Sequence, residues 1–126
     1  MNQNGVRGEQ FAACMLLGDG YEILARNYRT RRGELDLVAK KGDTLAFIEV
    51  KTRSARSLGS PASAVTPAKQ RCLIRAALDY LANNPNELQP RFDVFEVVTH
   101  GTDGFLVVSY QHLKGAFILD ETNRID

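Results

Sequence analysis

The sequence predicts a single α/β domain, and three observations lead to that prediction. Segments with helical and strand-like patterns alternate in the order αββ(β)αββ, without internal repeats or a long linker. The 126 residues suffice for one hydrophobic core but not for two. With 44% hydrophobic and 25% charged residues, the composition is that of a folded domain rather than a disordered chain. We expect one domain over residues 1–126, with its core at about 4–110 and a C-terminal tail at about 111–126.

The first half of the chain predicts a helix followed by three strands. The helix covers residues 4–17, and Glu9 falls in the middle of its apolar face, so that an acid points toward the core. Residues 21–29 have the composition of a strand. Residues 33–53 form two alternating runs that meet at Gly42 and Asp43, a pattern typical of a β-hairpin. The apolar residues that share the helix face with Glu9 are Val6, Ala12, Ala13, Leu16 and Leu17.

The second half predicts a helix and two strands. Thr66 and Pro67 form an N-cap and first-turn pair, from which a helix extends to about Leu81. Residues 92–100 and 104–110 read as strands joined near residues 101–104. The residues after 110 carry no clear pattern. This order predicts one α/β layer, with one helix before the strands and a second helix between them.

Positive charge is concentrated in the middle of the chain. Twelve Lys or Arg and four acids lie between Arg26 and Arg75, which gives about +8, whereas the remaining residues carry about −7. Such a field suits a polyanion, and we expect a nucleic acid as partner, although a solvated surface would explain the charges equally well. Lys69 and Gln70 would touch the substrate. The simpler alternative is that the Lys69 stem lies along the surface and that Gln70 is a core residue whose amide is hydrogen-bonded within the protein. The residues expected to contact nucleic acid are Arg29, Arg31, Arg32, Arg53, Lys69 and Gln70.

Several classes of protein are excluded. No apolar run approaches the roughly 20 residues that cross a bilayer, and the N-terminus lacks the pattern of a signal peptide. We therefore expect a cytoplasmic protein with no membrane partner. The only cysteines, Cys14 and Cys72, each lie in a predicted helix with no CxxC or clustered His nearby. A disulfide framework and a zinc site are both without support.

The predicted hairpin brings charged residues together. A two-residue turn pairs Lys41 with Thr44, and this register places Asp36 opposite Glu49 and, two residues on, Glu34 opposite Lys51. A four-residue loop would keep the register, whereas a three-residue or bulged loop would shift it. Residues two apart in a strand share a face, so the four side chains should lie together, with a salt bridge between Glu34 and Lys51.

This pattern predicts a metal-dependent hydrolase. Two carboxylates that close together repel each other unless a cation lies between them, and oxygen ligands favour Mg²⁺ or Mn²⁺ over Zn²⁺. Glu9 would complete the cluster, since a buried carboxylate without a partner is costly. Lys51 would orient the nucleophile and stabilise charge developing on phosphorus, which fits hydrolysis of a phosphodiester. The simpler alternative is a half-exposed hairpin with cross-strand salt bridges.

The run GELDLVAKKGDTLAFIEVKTR, with G-x-x-x-E near the N-terminus, resembles the YraN family of predicted endonucleases. That family is related to archaeal Holliday junction resolvases in the PD-(D/E)xK superfamily, and the likeness continues through RNYRTRRGELD and TPAKQ. It implies a restriction-endonuclease-like αβββαβ core with a mixed sheet flanked by helices. It also implies roles for five residues, although Leu35 replaces the proline of the superfamily's name motif. The implied metal ligands are Asp36, Glu49 and the carbonyl of Val50, with Lys51 as the catalytic lysine and Glu9 as an auxiliary acid.

The expected function is therefore that of a metal-dependent endonuclease that cleaves DNA, at branched or otherwise structured sites if the resemblance extends so far. A two-fold homodimer would match two opposed cuts in a junction. The alternative from a different class is a non-catalytic nucleic-acid-binding module with the same fold and basic surface.

Overall fold

The computed structural model describes residues 3–55, 65–101 and 105–118, and the side chains from Gly5 onward. Within these ranges the chain forms two helices and five strands, in the order α, three strands, α, two strands. This is the predicted α/β class. No helix of the described residues is long and apolar enough to cross a membrane. The elements are α1 (Gln3–Gly18), β1 (Glu22–Arg29), β2 (Glu34–Lys41), β3 (Thr44–Ser54), α2 (Pro67–Asn83), β4 (Gln89–Thr99) and β5 (Val107–Phe117).

All five strands form one mixed sheet, in spatial order β1-β2-β3-β4-β5. The β3–β4 pair is parallel and the other three pairs are antiparallel. The parallel pair requires a crossover, and α2 lies within it. The predicted hairpin register is confirmed, because Lys41 is opposite Thr44 and Leu37 is opposite Ile48, with Gly42 at φ 60° in the turn.

The two helices pack on opposite faces of the sheet. Ala12, Ala13 and Leu16 of α1 join one buried cluster with Leu37 and Ile48. Helix α2 contributes to the other cluster, which contains Leu35, Phe47, Leu73, Ala77 and Tyr80. Thr66 is the N-cap predicted for α2, since its hydroxyl accepts a 3.2 Å hydrogen bond from the Lys69 N–H and Pro67 occupies the first turn. Each face of the sheet is thereby covered by one amphipathic helix.

Strands β1 and β2 share an irregularity that matters for the site. Leu35 and Val38 both pack beneath α2, whereas Leu37 and Ala39 face α1, so strict alternation in β2 is interrupted between Leu35 and Leu37. Strand β1 has a matching irregularity at Asn27, which has φ 51°. Left-handed backbone is uncommon for a residue other than glycine. The two irregularities lie side by side in the β1–β2 ladder.

A second polar feature joins β4 to β5. The Asp93 side chain is fully buried. Its Oδ1 accepts hydrogen bonds from Arg91 Nε at 2.8 Å and from the Gly115 N–H at 3.0 Å. Its Oδ2 accepts a 2.8 Å bond from Arg91 Nη2 and lies 2.7 Å from His112 Nε2. Arg91 also donates to the Tyr21 hydroxyl at 2.8 Å. We call Tyr21, Arg91, Asp93 and His112 the Asp93 network.

The C-terminal strand is longer than the sequence pattern indicated. Strand β5 begins at Val107 and continues to Phe117, through residues that we expected to belong to a tail. Leu113, Ala116 and Phe117 pack against the α2-side core, which explains why these residues pair with β4. Residues 102–104 of the predicted turn and residues 119–126 of the predicted tail lie outside the described ranges.

Candidate metal and nucleic-acid site

Asp36 lies where the β2–β3 ladder opens. The last paired residues of the ladder are Leu37 and Ile48, one position before Asp36 and Glu49. Beyond that point the Asp36 carboxylate replaces a backbone partner, because its Oδ2 accepts a 2.8 Å hydrogen bond from the Val50 N–H. The side chain is therefore held against β3 rather than directed freely into solvent.

The Asp36 and Glu49 side chains meet at this opening. Burial raises the pKa of Asp36 to about 8, and a hydrogen bond to Glu49 and the negative charge of Glu49 act in the same direction. The Val50 N–H, which favours the charged form, opposes the rise only in part. Two carboxyl groups, one half-buried and one buried, therefore lie side by side, an arrangement that a cation between them would relieve.

Glu49 is also held from the side of α2. Its carboxyl group is mostly buried, with a side-chain exposure of 10%, and Oε2 lies 3.4 Å from Lys69 Nζ. The N-cap at Thr66 positions this part of α2. Neighbouring Gln70 donates from Nε2 to the Val65 carbonyl at 2.8 Å. Lys69, considered from the sequence as a residue that would touch the substrate, thus lies beside an acid of the site.

Glu9 lies next to Asp36 but its direct partner is an amide. A cavity of about 380 Å³ is lined by Glu9, Asn27, Glu34 and Asp36, among others. With its nitrogen turned toward the acids, the Asn27 amide donates to Glu9 Oε1 at 2.9 Å and to Glu34 Oε1 at 3.3 Å. Burial raises the pKa of Glu9, and the charges of Glu34 and Glu49 add to that rise, whereas the Asn27 bond lowers it. We call Glu9, Glu34, Asp36 and Glu49 the acid cluster.

The expected salt bridge from Glu34 to Lys51 is replaced by another one. Glu34 is opposite Arg29 in the β1–β2 ladder, and Arg29 Nε lies 3.6 Å from Glu34 Oε1. The ladder between β2 and β3 has already ended at Leu37, so Glu34 is no longer paired with β3. Lys51 is half-buried on β3, and no carboxylate of the described residues forms an ion pair with it.

The acid pair, rather than a larger group, is what the side-chain geometry offers to a metal ion. Among the described residues, no group of three or more His, Cys, Asp or Glu side chains is arranged to hold a metal ion. A role for Glu9 in completing the site stays a prediction. Mg²⁺ is commonly bound through only one or two carboxylates with waters in the other positions, and Asp36 with Glu49 supplies two. The acid pair fits Mg²⁺ or Mn²⁺ on those terms, and a ligand role for the Val50 carbonyl stays a prediction.

The basic residues predicted to contact nucleic acid have different surroundings. Arg31 and Arg32 are exposed in the connection between β1 and β2. Arg29 is exposed but paired with Glu34. Arg53 Nε lies 3.0 Å from Oε2 of Glu96, a buried acid on β4, so the Arg53 charge is already balanced inside the protein. The exposed corner at Arg31 and Arg32 is thus the part of the basic segment best placed for a polyanion.

Sequence reasoning missed one residue of the site and one residue of the Asp93 network. Asn27 has an ordinary strand neighbourhood in the sequence, RNYR, and only its left-handed backbone directs its amide toward Glu9 and Glu34. His112 lies among the residues that we expected to belong to the C-terminal tail. Asparagine is several-fold enriched at positive φ, which is a weak signal that could have drawn attention to Asn27.

Comparison with known proteins identifies the family. Residues 8–97 match the model of the Uncharacterised protein family UPF0102. A UPF0102 protein of Chlorobium chlorochromatii (strain CaD3) is 46% identical over 119 residues, covering 93% of this chain and 92% of the relative. A UPF0102 protein of Symbiobacterium thermophilum is 54% identical over 103 residues, covering 81% and 86%. The chain therefore belongs to the UPF0102 family, also known as the YraN family.

Proposed function

We propose that the protein is a metal-dependent endonuclease that hydrolyses phosphodiester bonds in DNA. The observation that carries the proposal is the contact between the half-buried carboxyl group of Asp36 and the buried one of Glu49, with Lys51 two residues farther along β3. Two acids forced together and a lysine on the same strand are the parts that metal-assisted hydrolysis of a phosphodiester needs. The resemblance of residues 33–53 to the PD-(D/E)xK superfamily supports the same chemistry.

Asp36 and Glu49 would hold Mg²⁺ or Mn²⁺, with the Val50 carbonyl as a third ligand. A bound divalent cation supplies Lewis-acid polarisation of the phosphoryl oxygens and neutralises their charge. The hydrogen bond from the Val50 N–H fixes Asp36 in the direction of Glu49. Lys69 fixes Glu49 from the other side. Both acids are therefore oriented by the protein before any ligand binds, which lowers the reorganisation needed in the reaction.

Lys51 would act on the substrate rather than on the cation. An ammonium group has three donors and no lone pair, so it cannot be a metal ligand. Held beside Glu49, it would donate to the phosphate under attack and stabilise the negative charge that develops there. Glu9, whose pKa is raised by burial, would act as an auxiliary acid on the opposite side of Asp36.

A second candidate function is favoured by two observations. The described residues contain no group of three acidic, His or Cys side chains that could hold a metal ion, and Glu49 is already paired with Lys69. A protein that binds DNA through the exposed Arg31 and Arg32 but does not cut it would have this arrangement. The two functions differ in whether Mg²⁺ or Mn²⁺ has any effect on the protein or its substrate.

The test is cleavage of linear, flapped, nicked and four-way DNA in Mg²⁺ and in Mn²⁺, at several protein concentrations. We expect cuts that require the metal and that are absent in D36N. Rates that rise more steeply than the protein concentration would indicate the expected homodimer. DNA binding without cleavage of any substrate in either metal would favour the non-catalytic candidate.

A further inference from the structure

The four residues that connect β1 to β2 form a rigid basic corner. The Thr30 hydroxyl accepts hydrogen bonds from the N–H groups of Arg32 at 3.2 Å and Gly33 at 3.0 Å. The Thr30 N–H donates to the Gly33 carbonyl at 2.8 Å, which closes the turn. Serine and threonine hydroxyls fix turns in this way. The backbone that carries Arg31 and Arg32 is therefore held in one conformation, which we call the basic corner (Thr30–Gly33).

The basic corner rests directly on helix α2. A Cβ atom at Gly33 would lie 2.4 Å from the Cys72 carbonyl oxygen, so the corner approaches the helix backbone as closely as only glycine allows. One turn farther along α2 from Cys72 is Arg75. The close approach thus brings a third guanidinium, distant in sequence, beside the two of the corner.

These residues enclose a second cavity. Its volume is about 450 Å³, and Thr30, Arg31, Arg32, Arg75 and Asp79 line it. It shares no lining residue with the cavity beside the acid cluster, although Arg29 of that cavity and Thr30 of this one are adjacent in sequence. A linear polyanion could therefore extend from one cavity to the other along the end of β1.

The charges in this cavity are not balanced within the described part of the protein. Arg75 Nε is buried and has no hydrogen-bond partner there. No carboxylate of the described residues forms an ion pair with Arg31, Arg32 or Arg75.

Asp79 also lines the cavity; its Oδ1 accepts hydrogen bonds from the Tyr28 hydroxyl and from the Asn83 amide, and its one negative charge is outnumbered by the three guanidinium groups. Three guanidinium groups around one cavity favour a ligand that brings negative charge and oxygen acceptors.

We infer that this cavity is a phosphate-binding subsite that holds one backbone phosphodiester of DNA between the basic corner and Arg75. A guanidinium offers donors in a fixed planar fork that matches phosphate oxygens, and Arg75 lines the cavity beside the two guanidinium groups of the basic corner. The choice of DNA as the ligand rests on the proposed function. The subsite itself rests on the three arginines and holds the strand without taking part in its cleavage.

Binding of a fluorescein-labelled DNA duplex in EDTA tests the subsite without any cleavage. R75M keeps an unbranched apolar stem and removes the guanidinium. We expect it to weaken binding about tenfold, as for one charge-assisted contact. It should also reduce the slope of log affinity against log salt by about 1. The matched control is K114M, which removes one exposed positive charge from β5 and should change affinity by less than about threefold.

A double-mutant cycle guards against a general effect of R75M on folding. The variant R31A/R32A changes only exposed side chains, and it should weaken binding without altering thermal unfolding. If all three arginines hold one phosphate, adding R75M to R31A/R32A costs less than R75M alone. Equal losses for R75M and K114M, or fully multiplicative losses in the cycle, would overturn the subsite.

The same experiment separates this inference from the proposed function. Suppose that in EDTA R75M weakens DNA binding less in R31A/R32A than in the wild type, and that no substrate is cleaved in Mg²⁺ or Mn²⁺. This result would support the subsite and contradict the nuclease. Cleavage that needs Asp36, together with an R75M affinity equal to that of K114M, would support the nuclease and overturn the subsite.

Discussion

Two aspartates of one sheet, the half-buried Asp36 and the buried Asp93, occupy opposite electrostatic environments. Asp93 meets a guanidinium, an imidazole and a backbone N–H. Burial alone would raise the pKa of Asp93, but the bonds from His112 and Arg91 outweigh it and leave that pKa below its ordinary value. Asp36 meets another acid, and its pKa is raised. A buried acid that accepts hydrogen bonds from the protein's own donors stabilises the fold. An acid placed beside other acids instead favours the binding of a cation.

The comparison predicts that substitutions in the two places affect different properties. At the acid cluster, a change should cost activity and spare stability, because acids that repel one another contribute little to folding when no cation is bound. In the Asp93 network, a change should cost stability first. Each of the following predictions would break or sharpen that division.

The largest expected effect is on cleavage by K51A. Removing the ammonium deprives the reacting phosphate of charge stabilisation, so single-turnover cleavage in saturating Mn²⁺ should fall by at least about 100-fold. Thermal unfolding should change little, since no described carboxylate pairs with Lys51. K51R should rescue poorly, because a guanidinium is broader and is a poor proton donor. Near-normal cleavage by K51A would remove Lys51 from the mechanism.

The next effect contrasts D93N with D36N in stability. An asparagine at 93 would turn amide hydrogens toward the donors of Arg91 and His112, and we expect the free energy of unfolding to fall by about 3 kcal/mol or more. An asparagine at 36 can still accept from the Val50 N–H and can donate to Glu49, so D36N should be as stable as the wild type or more stable. Urea denaturation of both variants measures this difference. Equal destabilisation would show that Asp36 is structural.

Acid sensitivity should follow Asp93 and account for part of that difference. In the unfolded chain Asp93 titrates near its ordinary value of about 4, whereas in the folded protein it keeps its charge to lower pH. Its stabilising contribution is complete above about pH 4 and is lost as the pH falls through the lowered folded-state value. The free energy of unfolding should therefore fall less steeply below about pH 4 in D93N than in the wild type. If the free energy of unfolding depends on pH in the same way in D93N and in the wild type, Asp93 is not the source of the acid sensitivity.

The smallest effect concerns Asn27. Glycine adopts φ 51° without strain, whereas alanine does not, so N27A should be less stable than N27G by about 1 kcal/mol. Both variants lose the amide between Glu9 and Glu34, and both should lower cleavage to the same extent. If N27G instead cleaves faster than N27A, activity follows stability, and the role of Asn27 is only to shape the strand.

The hairpin was predictable because a short turn fixes its register. Gly42 and Asp43 determine which residues face each other as far as Leu37 and Ile48, and the side-chain contact between Asp36 and Glu49 follows. The N-cap of α2 at Thr66 was predictable for the same reason, because it depends only on neighbouring residues. The predicted Glu34–Lys51 salt bridge is wrong because the β2–β3 ladder ends before these residues. No local feature of the sequence indicates where the ladder ends.

The remaining contacts depend on long-range packing. His112 meets Asp93 only because β5 continues past Tyr110 and pairs with β4 through two register shifts. Arg75 meets the basic corner only because Gly33 lies against α2. Hydrophobic alternation predicts which elements exist, but such approaches are set by the tertiary fold.

The central claim is that Asp36 and Glu49 form a divalent-cation site, and thermal unfolding with increasing Mn²⁺ tests it most directly. A ligand that binds only the folded state at 100 times its dissociation constant adds about 2.7 kcal/mol of stability. We predict a saturable rise in the unfolding temperature of the wild type and of K51A, and none in D36N. An equal response of the wild type and D36N, or no response in either, would contradict the account.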